Sequence, residues 1–357
     1  MNKPNRLKKG DKIAIISLSR GLLGEPFMAH QRTLIEERLQ SYGLEVVYTP
    51  NALRGLEFLE KNPDQKAADL KWAFADPEIK MILCAIGGSD TFRTVPYLLE
   101  DPEFMKMVRD NPKIFIGYSD TSTNHLMFQK LGLMTFYGHS AIVDFGELGP
   151  DMLPYSKTWF DKLFAPEPMT AIEPSPIWYE ERPNFGPEEF GKLRISHEEA
   201  RGYELLSGSG IVEGELLGGC LETLGETLLG EFYNDWPKVN AAFELLPQKE
   251  GWKGKILFLE TSESKSSPER LRQLLEALEQ RGIFEAVNGV LIGKPQDETY
   301  YEEYKALYQE IIGKYGKPVL YNLNFGHAHP KCILPVGGKV RIDCDNLSVV
   351  IMEPLVN

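Results

Sequence analysis

The segment KIFIGYSDTSTNHLMFQKLGLMTFYG (113–138) contains the pattern that most clearly indicates the fold of the amino-terminal half. KIFIGYS (113–119) is a continuous apolar run typical of a buried strand, and the DTSTNHLMFQKLG that follows is compatible with a helix. LMTFYG (133–138) is a further strand. A strand, a helix and a strand in this order predict a parallel sheet with crossover helices.

The same alternation extends back to the start of the chain. The runs IAIISL (13–18), VVYT (46–49) and MILCAI (81–86) are typical of strands, and amphipathic stretches lie between them. Residues 1–165 are therefore predicted to form one α/β domain built from repeated βα units.

The composition and the periodicity of the sequence change in the middle of the chain. Residues 166–207 are rich in proline, acidic and aromatic residues and show neither the helical nor the strand period, which predicts a linker with a binding loop or lid. Strands and helices resume in residues 208–357, which are predicted to form a second domain. KVRIDC (339–344) and LSVVIM (347–352) predict a closing β-hairpin.

Composition narrows the class of protein. Of 357 residues, 42% are hydrophobic and 25% are charged, which is typical of a folded globular chain. The net charge of −13 repels phosphate backbones and anionic headgroups, so nucleic acids and membranes are not expected partners. No apolar run is long enough to span a membrane and no secretory signal is evident, so we expect a cytoplasmic protein. The 4 cysteines form no CxxC pair and are expected to be free thiols.

Ser119 lies where the strand of GYSD gives way to a helix. Such a turn exposes a serine hydroxyl and points helix N–H groups at developing negative charge, as a nucleophile requires. Gly117 fits the first glycine of the GxSxG elbow, whereas Thr121 replaces the second. The segment taken alone also fits a helix cap formed by Ser119 or Asp120.

A second strand ends in the diglycine of CAIGGSDTFR (84–93). Gly87 and Gly88 allow close approach of a ligand to the backbone and offer unhindered N–H groups, which is how oxyanion holes are often built. A phosphate-binding loop is the alternative, but no lysine follows and no GxGxxG spacing is present.

Acidic and imidazole side chains follow two strands of the second half. Glu260 ends the apolar run KILFLE, where a carboxylate needs a partner such as a histidine to offset its desolvation. The alternative for Glu260 is an exposed strand end or a salt bridge, and Glu263 is expected to be solvated. NLNFGHAHPKC supplies His327 and His329, either of which can act as a general base. Together with Cys332 they can alternatively bind a metal, but no second ligand cluster is visible.

The motifs GYSD, IGGSDTFR, LETSE and FGHAHP occur in one chain order. With them, the sequence resembles the serine LD-carboxypeptidase and microcin C immunity protein family over nearly its whole length. The resemblance implies an amino-terminal Rossmann-like parallel-sheet domain, a carboxy-terminal β-rich α/β domain and a homodimer. Because the sequence shows neither a second ligand cluster nor a phosphate-binding fingerprint, we expect neither a metal nor a cofactor. The resemblance also implies that the catalytic triad is Ser119, Glu260 and His327, and that the N–H groups of Gly88 and Asp120 form the oxyanion hole.

Substrate contacts are expected in two places. Gly87 and Ser89 belong to the diglycine loop. In SPIWYEERPNF, Trp178 and Phe185 resemble the aromatic loop with which microcin immunity proteins cover a nucleobase, because flat rings offer a stacking surface. The alternative is that these rings pin a linker to the domain surface. The family's LGGN turn is LGGC here, so Cys220 replaces an amide side chain.

The resemblance implies hydrolysis of an amide. His327 would take the proton of Ser119, Glu260 would orient the imidazole, and an acyl-enzyme would form and hydrolyse. Because the three residues must converge, we expect the site at the domain interface. The aromatic loop favours an amide between an amino acid or peptide and a nucleotide-like moiety. Release of D-alanine from murein tetrapeptides and ligand binding without turnover are the alternatives.

Overall fold

In a computed structural model that describes residues 1–357, the chain folds as two units. The first unit contains Met1–Pro166, Arg182–Arg194 and Leu355–Asn357, and the second contains Glu167–Glu181 and Ile195–Pro354. No helix combines the length and the apolar character needed to cross a membrane.

The first unit is built on five parallel strands that lie in the order β2, β1, β3, β4, β5. The prediction of a parallel sheet in this half is confirmed, and each predicted apolar run overlaps one of the strands. Their bounds are β1 (Lys12–Ile16), β2 (Glu45–Tyr48), β3 (Ile79–Cys84), β4 (Ile114–Gly117) and β5 (Thr135–Tyr137).

The register of these strands explains their continuous apolar character. Ile15 of β1 pairs with Leu83 of β3, Leu83 pairs with Ile116 of β4, and Ile116 pairs with Phe136 of β5. All four are buried, as expected for a parallel sheet that is covered on both faces. The strand order reverses between β1 and β3, and doubly wound sheets bind ligands at the carboxyl ends of their strands beside such a switch point.

Seven α-helices connect or flank these strands. Helix α5 shows how a helix begins, because the Asp101 carboxylate accepts hydrogen bonds from the N–H groups of Glu103 and Phe104. The helices are α1 (Ala29–Ser41), α2 (Leu56–Lys61), α3 (Pro63–Ala75), α4 (Val95–Leu99), α5 (Pro102–Asp110), α6 (Ser122–Lys130) and α7 (Pro154–Asp161).

The second unit contains an eight-stranded mixed sheet in the order β6, β16, β15, β10, β11, β12, β13, β9. Strands β10 to β13 are parallel and form its centre, and the outer strands pair antiparallel. The predicted closing hairpin is confirmed as β15 and β16. The strands of this unit are β6 (Thr170–Ala171), β7 (Ile177–Tyr179), β8 (Ser196–Glu198), β9 (Glu204–Ser207), β10 (Ile211–Cys220), β11 (Lys255–Glu260), β12 (Gly289–Gly293), β13 (Val319–Leu323), β14 (Leu334–Val336), β15 (Lys339–Asp343) and β16 (Ser348–Ile351).

Five α-helices accompany this sheet. Helix α10 buries Leu271, Leu274 and Leu278, which recur at helical spacing, and its first turn is capped by Ser267. The helices are α8 (Leu221–Leu229), α9 (Trp236–Phe243), α10 (Pro268–Gln280), α11 (Ile283–Ala286) and α12 (Tyr301–Ile311).

The stretch predicted as a linker, residues 166–207, carries regular structure and is divided between the units. Strands β6 to β9 lie in it, and they are too short for a period of two to be visible in the sequence. The part that belongs to the first unit is held by buried ion pairs, in which Glu147 accepts from Nε of Arg182 at 3.0 Å and from Nε of Arg194 at 2.7 Å.

Candidate active site

Ser119 occupies a strained turn between β4 and α6. Its backbone has φ of +67°, a left-handed conformation that is rare for a residue other than glycine. The Ser119 N–H donates to the Tyr137 hydroxyl at 3.1 Å, and its carbonyl accepts from the Ser122 hydroxyl at 2.7 Å. A short 3₁₀ turn over Ser119–Thr121 leads directly into α6. This is the strand-to-turn-to-helix geometry of a nucleophile elbow.

Two glycines have no room for a side chain beside this turn. A Cβ on Gly117 would lie 2.9 Å from both the Thr121 and Cys84 side chains. A Cβ on Gly87 would lie 2.8 Å from Ser119 Oγ and 3.4 Å from the Asp120 nitrogen. The backbone of the diglycine loop therefore lies against the serine hydroxyl, where an oxyanion hole is needed.

The rest of the diglycine loop is fixed by a buried carboxylate. Asp120 Oδ2 accepts from the Ser19 hydroxyl at 2.6 Å and from the Thr91 N–H at 2.9 Å. Burial raises the pKa of Asp120 to about 6, although these hydrogen bonds oppose the shift. Gly88 is exposed, and a Cβ there would lie 2.3 Å from Ser19 Oγ. Ser89 is half-buried after it.

Glu260 and His327 form a buried pair in the second unit. Glu260 ends β11, and its Oε2 accepts hydrogen bonds from Nδ1 of His327 at 2.8 Å and from the backbone N–H of His327 at 3.1 Å. Gly326 has φ of +85°, and a Cβ there would lie 2.4 Å from Glu260 Oε2. The glycine of the FGHAHP motif is therefore needed for the carboxylate to reach the histidine.

The other nitrogen of His327 contacts a second carboxylate. Nε2 lies 2.9 Å from Oε2 of Glu263, whose side chain is 68% exposed. Burial lowers the pKa of His327, but the charges and hydrogen bonds of Glu260 and Glu263 outweigh it and raise the pKa to about 10. The hydrogen bond from His327 is in turn the main reason that the pKa of Glu263 falls to about 2. In this arrangement the ring donates from both nitrogens and is a cation.

His329 has a different environment from His327. Its Nε2 donates to Oε2 of Glu181 at 3.0 Å, and Gln296 donates both to the same Glu181 oxygen and to the carbonyl of His327. These contacts hold the loop of the FGHAHP motif (325–330), called the histidine loop below, against the segment that carries Trp178. They support the choice of His327 as the partner of Glu260.

Cys220 lies beside Glu260. It ends β10, and the parallel register pairs it with Glu260 of β11. Its Sγ is 3.3 Å from Oε2 of Glu222. Burial, together with the charges of these two carboxylates, raises the pKa of the Cys220 thiol well above its ordinary value.

The two aromatic residues expected to contact substrate lie in different units. Trp178 lies in the second, on the β7–β8 hairpin, where it stacks on His197 with ring centroids 4.2 Å apart. The N–H of the next residue, Tyr179, donates to the carbonyl of His329 at 3.0 Å. Phe185 lies in the first unit with 41% of its surface exposed, and its carbonyl accepts from Nε2 of His30.

Each unit brings together part of the predicted site. Ser119 and the diglycine loop meet in the first unit, and Glu260 meets His327 in the second. The pairing of Glu263 with His327 was missed, because a carboxylate in a polar turn has no sequence signal for a partner distant in the chain. Glu181 and Gln296 were missed for the same reason.

Two family profiles match the chain: the LD-carboxypeptidase N-terminal domain over residues 13–138 and the LD-carboxypeptidase C-terminal domain over residues 213–342. The chain belongs to the LD-carboxypeptidase family. It is therefore a serine-type hydrolase with the mixed α/β architecture that the resemblance implied.

Relatives within the family include both expected kinds of enzyme. The "probable murein peptide carboxypeptidase" of Bacillus subtilis is 28% identical over 98% of this chain and 94% of its own length. The microcin C7 self-immunity protein MccF of Escherichia coli is 29% identical over 81% of this chain and 78% of its own. A structure of MccF in complex with aspartyl sulfamoyl adenosine is 25% identical, with a TM-score of 0.81, and covers both chains fully at 100%.

A solved structure shares more of the sequence. The MccF-like protein from Streptococcus pneumoniae, in complex with AMP, is 43% identical with a TM-score of 0.91. The match covers 95% of this chain and 98% of that one. At this similarity the two chains share one fold class.

Proposed function

We propose that this family member hydrolyses the amide between an amino acid or short peptide and a nucleotide-like moiety. Ser119 is the nucleophile, His327 the general base and Glu260 the residue that orients it. The observation that carries the proposal is the buried Glu260–His327 pair, because a carboxylate on Nδ1 leaves Nε2 as the nitrogen for proton transfer. The strained backbone of Ser119 at the start of a helix supports its role.

The proposed reaction follows the serine-hydrolase sequence. The Ser119 proton moves to Nε2 of His327 as Oγ bonds to the amide carbonyl carbon, and N–H groups of Gly88 and Asp120 stabilise the resulting oxyanion. Nε2 then protonates the leaving nitrogen, which breaks the C–N bond and leaves an acyl-enzyme. Water, deprotonated by the same nitrogen, hydrolyses this ester and restores Ser119.

Glu263 must leave Nε2 before this sequence can start. A histidine whose two nitrogens both donate to carboxylates has no lone pair for a serine proton. Because the Glu263 side chain is 68% exposed, it can turn into solvent when substrate binds. Its contact with His327 is thus a resting arrangement of the site.

Trp178 is the proposed platform for the nucleobase. Its stacking on the half-exposed imidazole of His197 supports a ring that can hold a flat partner at stacking distance. The complexes of its relatives with AMP and with aspartyl sulfamoyl adenosine support a nucleotide in this role. The exposed ring of Phe185 is a second proposed contact, and Gly87 and Ser89 are proposed to line the acyl side.

The test is hydrolysis of two candidate substrates by the wild-type protein and by Ser119→Ala. Aspartyl sulfamoyl adenosine and an L,D-murein tetrapeptide are incubated separately, and products are followed by mass spectrometry. We expect aspartate release from the first substrate by wild type only, with circular dichroism unchanged in the variant. Release of D-alanine alone would show that the substrate is the murein tetrapeptide and not the aminoacyl nucleotide. Full activity of Ser119→Ala would remove Ser119 from the mechanism.

We also propose that the enzyme works as a homodimer in the reducing cytoplasm. All 4 cysteines are free and buried, as is usual where thiols stay reduced, and the family resemblance supports the dimer. Light scattering on the purified protein should give twice the mass of one chain. A concentration-independent monomer would contradict the dimer.

A further inference from the structure

We propose that Cys220, Glu260 and His327 form a binding site for Zn²⁺ that switches the enzyme off. The donor atoms of the three side chains, a thiol sulfur, a carboxylate oxygen and an imidazole nitrogen, all lie within 4.8 Å of one another. All three residues are buried, and they converge from the ends of two adjacent strands and from the histidine loop.

The donor set is one that zinc favours. Thiolate and imidazole are its commonest protein ligands, and a carboxylate oxygen completes sites of mixed composition. Tetrahedral zinc with bonds of about 2.0–2.3 Å places its ligand atoms about 3.3–3.7 Å apart. The Glu260 oxygen and Nδ1 of His327 lie 2.8 Å apart, so this pair has to separate by about 0.5 Å to admit the ion. Thiolate also selects zinc over magnesium and calcium, which prefer oxygen ligands alone.

The net charge of the three ligands also favours Zn²⁺. A Zn²⁺ ion with one thiolate, one carboxylate and one neutral imidazole is a neutral unit, and a neutral unit avoids the cost of burying net charge. On binding, the Cys220 thiol loses its proton and the His327 imidazolium loses one proton, and both protons pass to solvent.

The consequence for catalysis rests on the proposed function. Nδ1 of His327, which now faces Glu260, would bind the metal, and the one proton left on the neutral ring would sit on Nε2. That nitrogen could then no longer accept the Ser119 proton. Zinc at this position removes the general base without blocking the substrate pocket, so inhibition should lower kcat and leave KM nearly unchanged.

The proposed zinc site depends on Cys220, a residue in which this chain differs from the family pattern. The family resemblance places an amide side chain where Cys220 stands, and a neutral amide is a poor zinc ligand. The variant Cys220→Asn therefore restores the family residue and removes the sulfur. Cys332→Ser is the matched control, because Cys332 is another buried free thiol, five residues beyond His327, that is outside the proposed donor set.

The first experiment measures metal binding without any substrate. Co²⁺ is titrated into the wild type, Cys220→Asn and Cys332→Ser under reducing, chelator-free conditions, and the near-ultraviolet thiolate-to-cobalt absorption is recorded. We expect this band to saturate at one equivalent in the wild type and Cys332→Ser, to vanish on adding Zn²⁺, and to be absent from Cys220→Asn. Circular dichroism checks that each variant folds. If Cys220→Asn does not fold, Cys220→Ala is used in its place. A band that persists without Cys220, or no band in the wild type, would overturn the site.

The second experiment measures inhibition of the hydrolysis identified above, relative to the metal-free rate of each variant. We expect Zn²⁺ to inhibit the wild type and Cys332→Ser reversibly with a chelator, and at least about tenfold more weakly in Cys220→Asn, as expected on loss of one of three protein ligands. Equal inhibition of all three proteins would overturn the switch. If neither candidate substrate is cleaved, the proposed function fails, and the cobalt titration still decides the site.

Discussion

At the residue scale, the pairing of Glu260 with His327 depends on the absence of a side chain at residue 326. Gly326→Ala would place a Cβ 2.4 Å from the Glu260 carboxylate and move it from Nδ1. We expect kcat/KM to fall by about 100-fold or more, in line with the loss of an orienting carboxylate. Gly316→Ala is the control, because Gly316 also has positive φ but nothing within 4 Å of its Cβ position. A similar loss in both variants would show that backbone strain, and not the displaced carboxylate, is responsible.

At the same scale, the buried histidine His125 makes the free energy of unfolding depend on pH. His125 is fully buried in α6, where Nε2–H donates to the Gly117 carbonyl and Nδ1 accepts from the Thr135 hydroxyl. Burial lowers the pKa of His125 from 6.5 to about 4. Because the folded pKa lies below the unfolded one, this contribution is complete above pH 6.5 and is lost as pH falls towards 4.

The free energy of unfolding is measured by urea titration at several pH values between 6.5 and about 4. The free energy of unfolding of the wild type should fall by about 3 kcal/mol more than that of His125→Gln, from about 1.4 kcal/mol per pKa unit. His30→Gln, in which a half-buried histidine is replaced, serves as the control and should keep the wild-type slope. Parallel curves for the wild type and His125→Gln would contradict a neutral buried His125.

At the scale of elements, the β7–β8 hairpin joins the aromatic residue to the histidine loop. Trp178 pairs across this hairpin with His197, and Tyr179 binds the backbone of His329. Trp178→Ala should weaken AMP binding by about tenfold or more, because stacking contributes about 1–3 kcal/mol per base. Trp178→Phe keeps a flat ring and should bind AMP within about threefold of the wild type. Titration calorimetry gives both affinities, and unchanged binding in Trp178→Ala would leave this ring a purely structural role.

At the scale of the whole molecule, the net charge of −13 limits the ligands that the enzyme accepts. A single nucleotide held by stacking carries few charges, whereas a polynucleotide brings one phosphate per residue into a repulsive field. Fluorescence anisotropy with a labelled duplex should therefore show no binding at physiological ionic strength, while AMP binds. Duplex binding that weakens steeply with added salt would reveal a basic surface and contradict this expectation.

Local features of this protein could be predicted from its amino-acid sequence. The strand, turn and helix around Ser119, the diglycine after β3 and the hairpin of β15 and β16 follow from apolar runs and turn residues, which act over a few positions. The strands within residues 166–207 were not predicted, because they are too short to show a period. The groups that meet were visible only in the folded chain: the strand register places Cys220 beside Glu260, and Glu263 contacts His327. Those contacts join residues far apart in the chain, and their geometry depends on the packing of whole strands, which no local pattern of residue types contains.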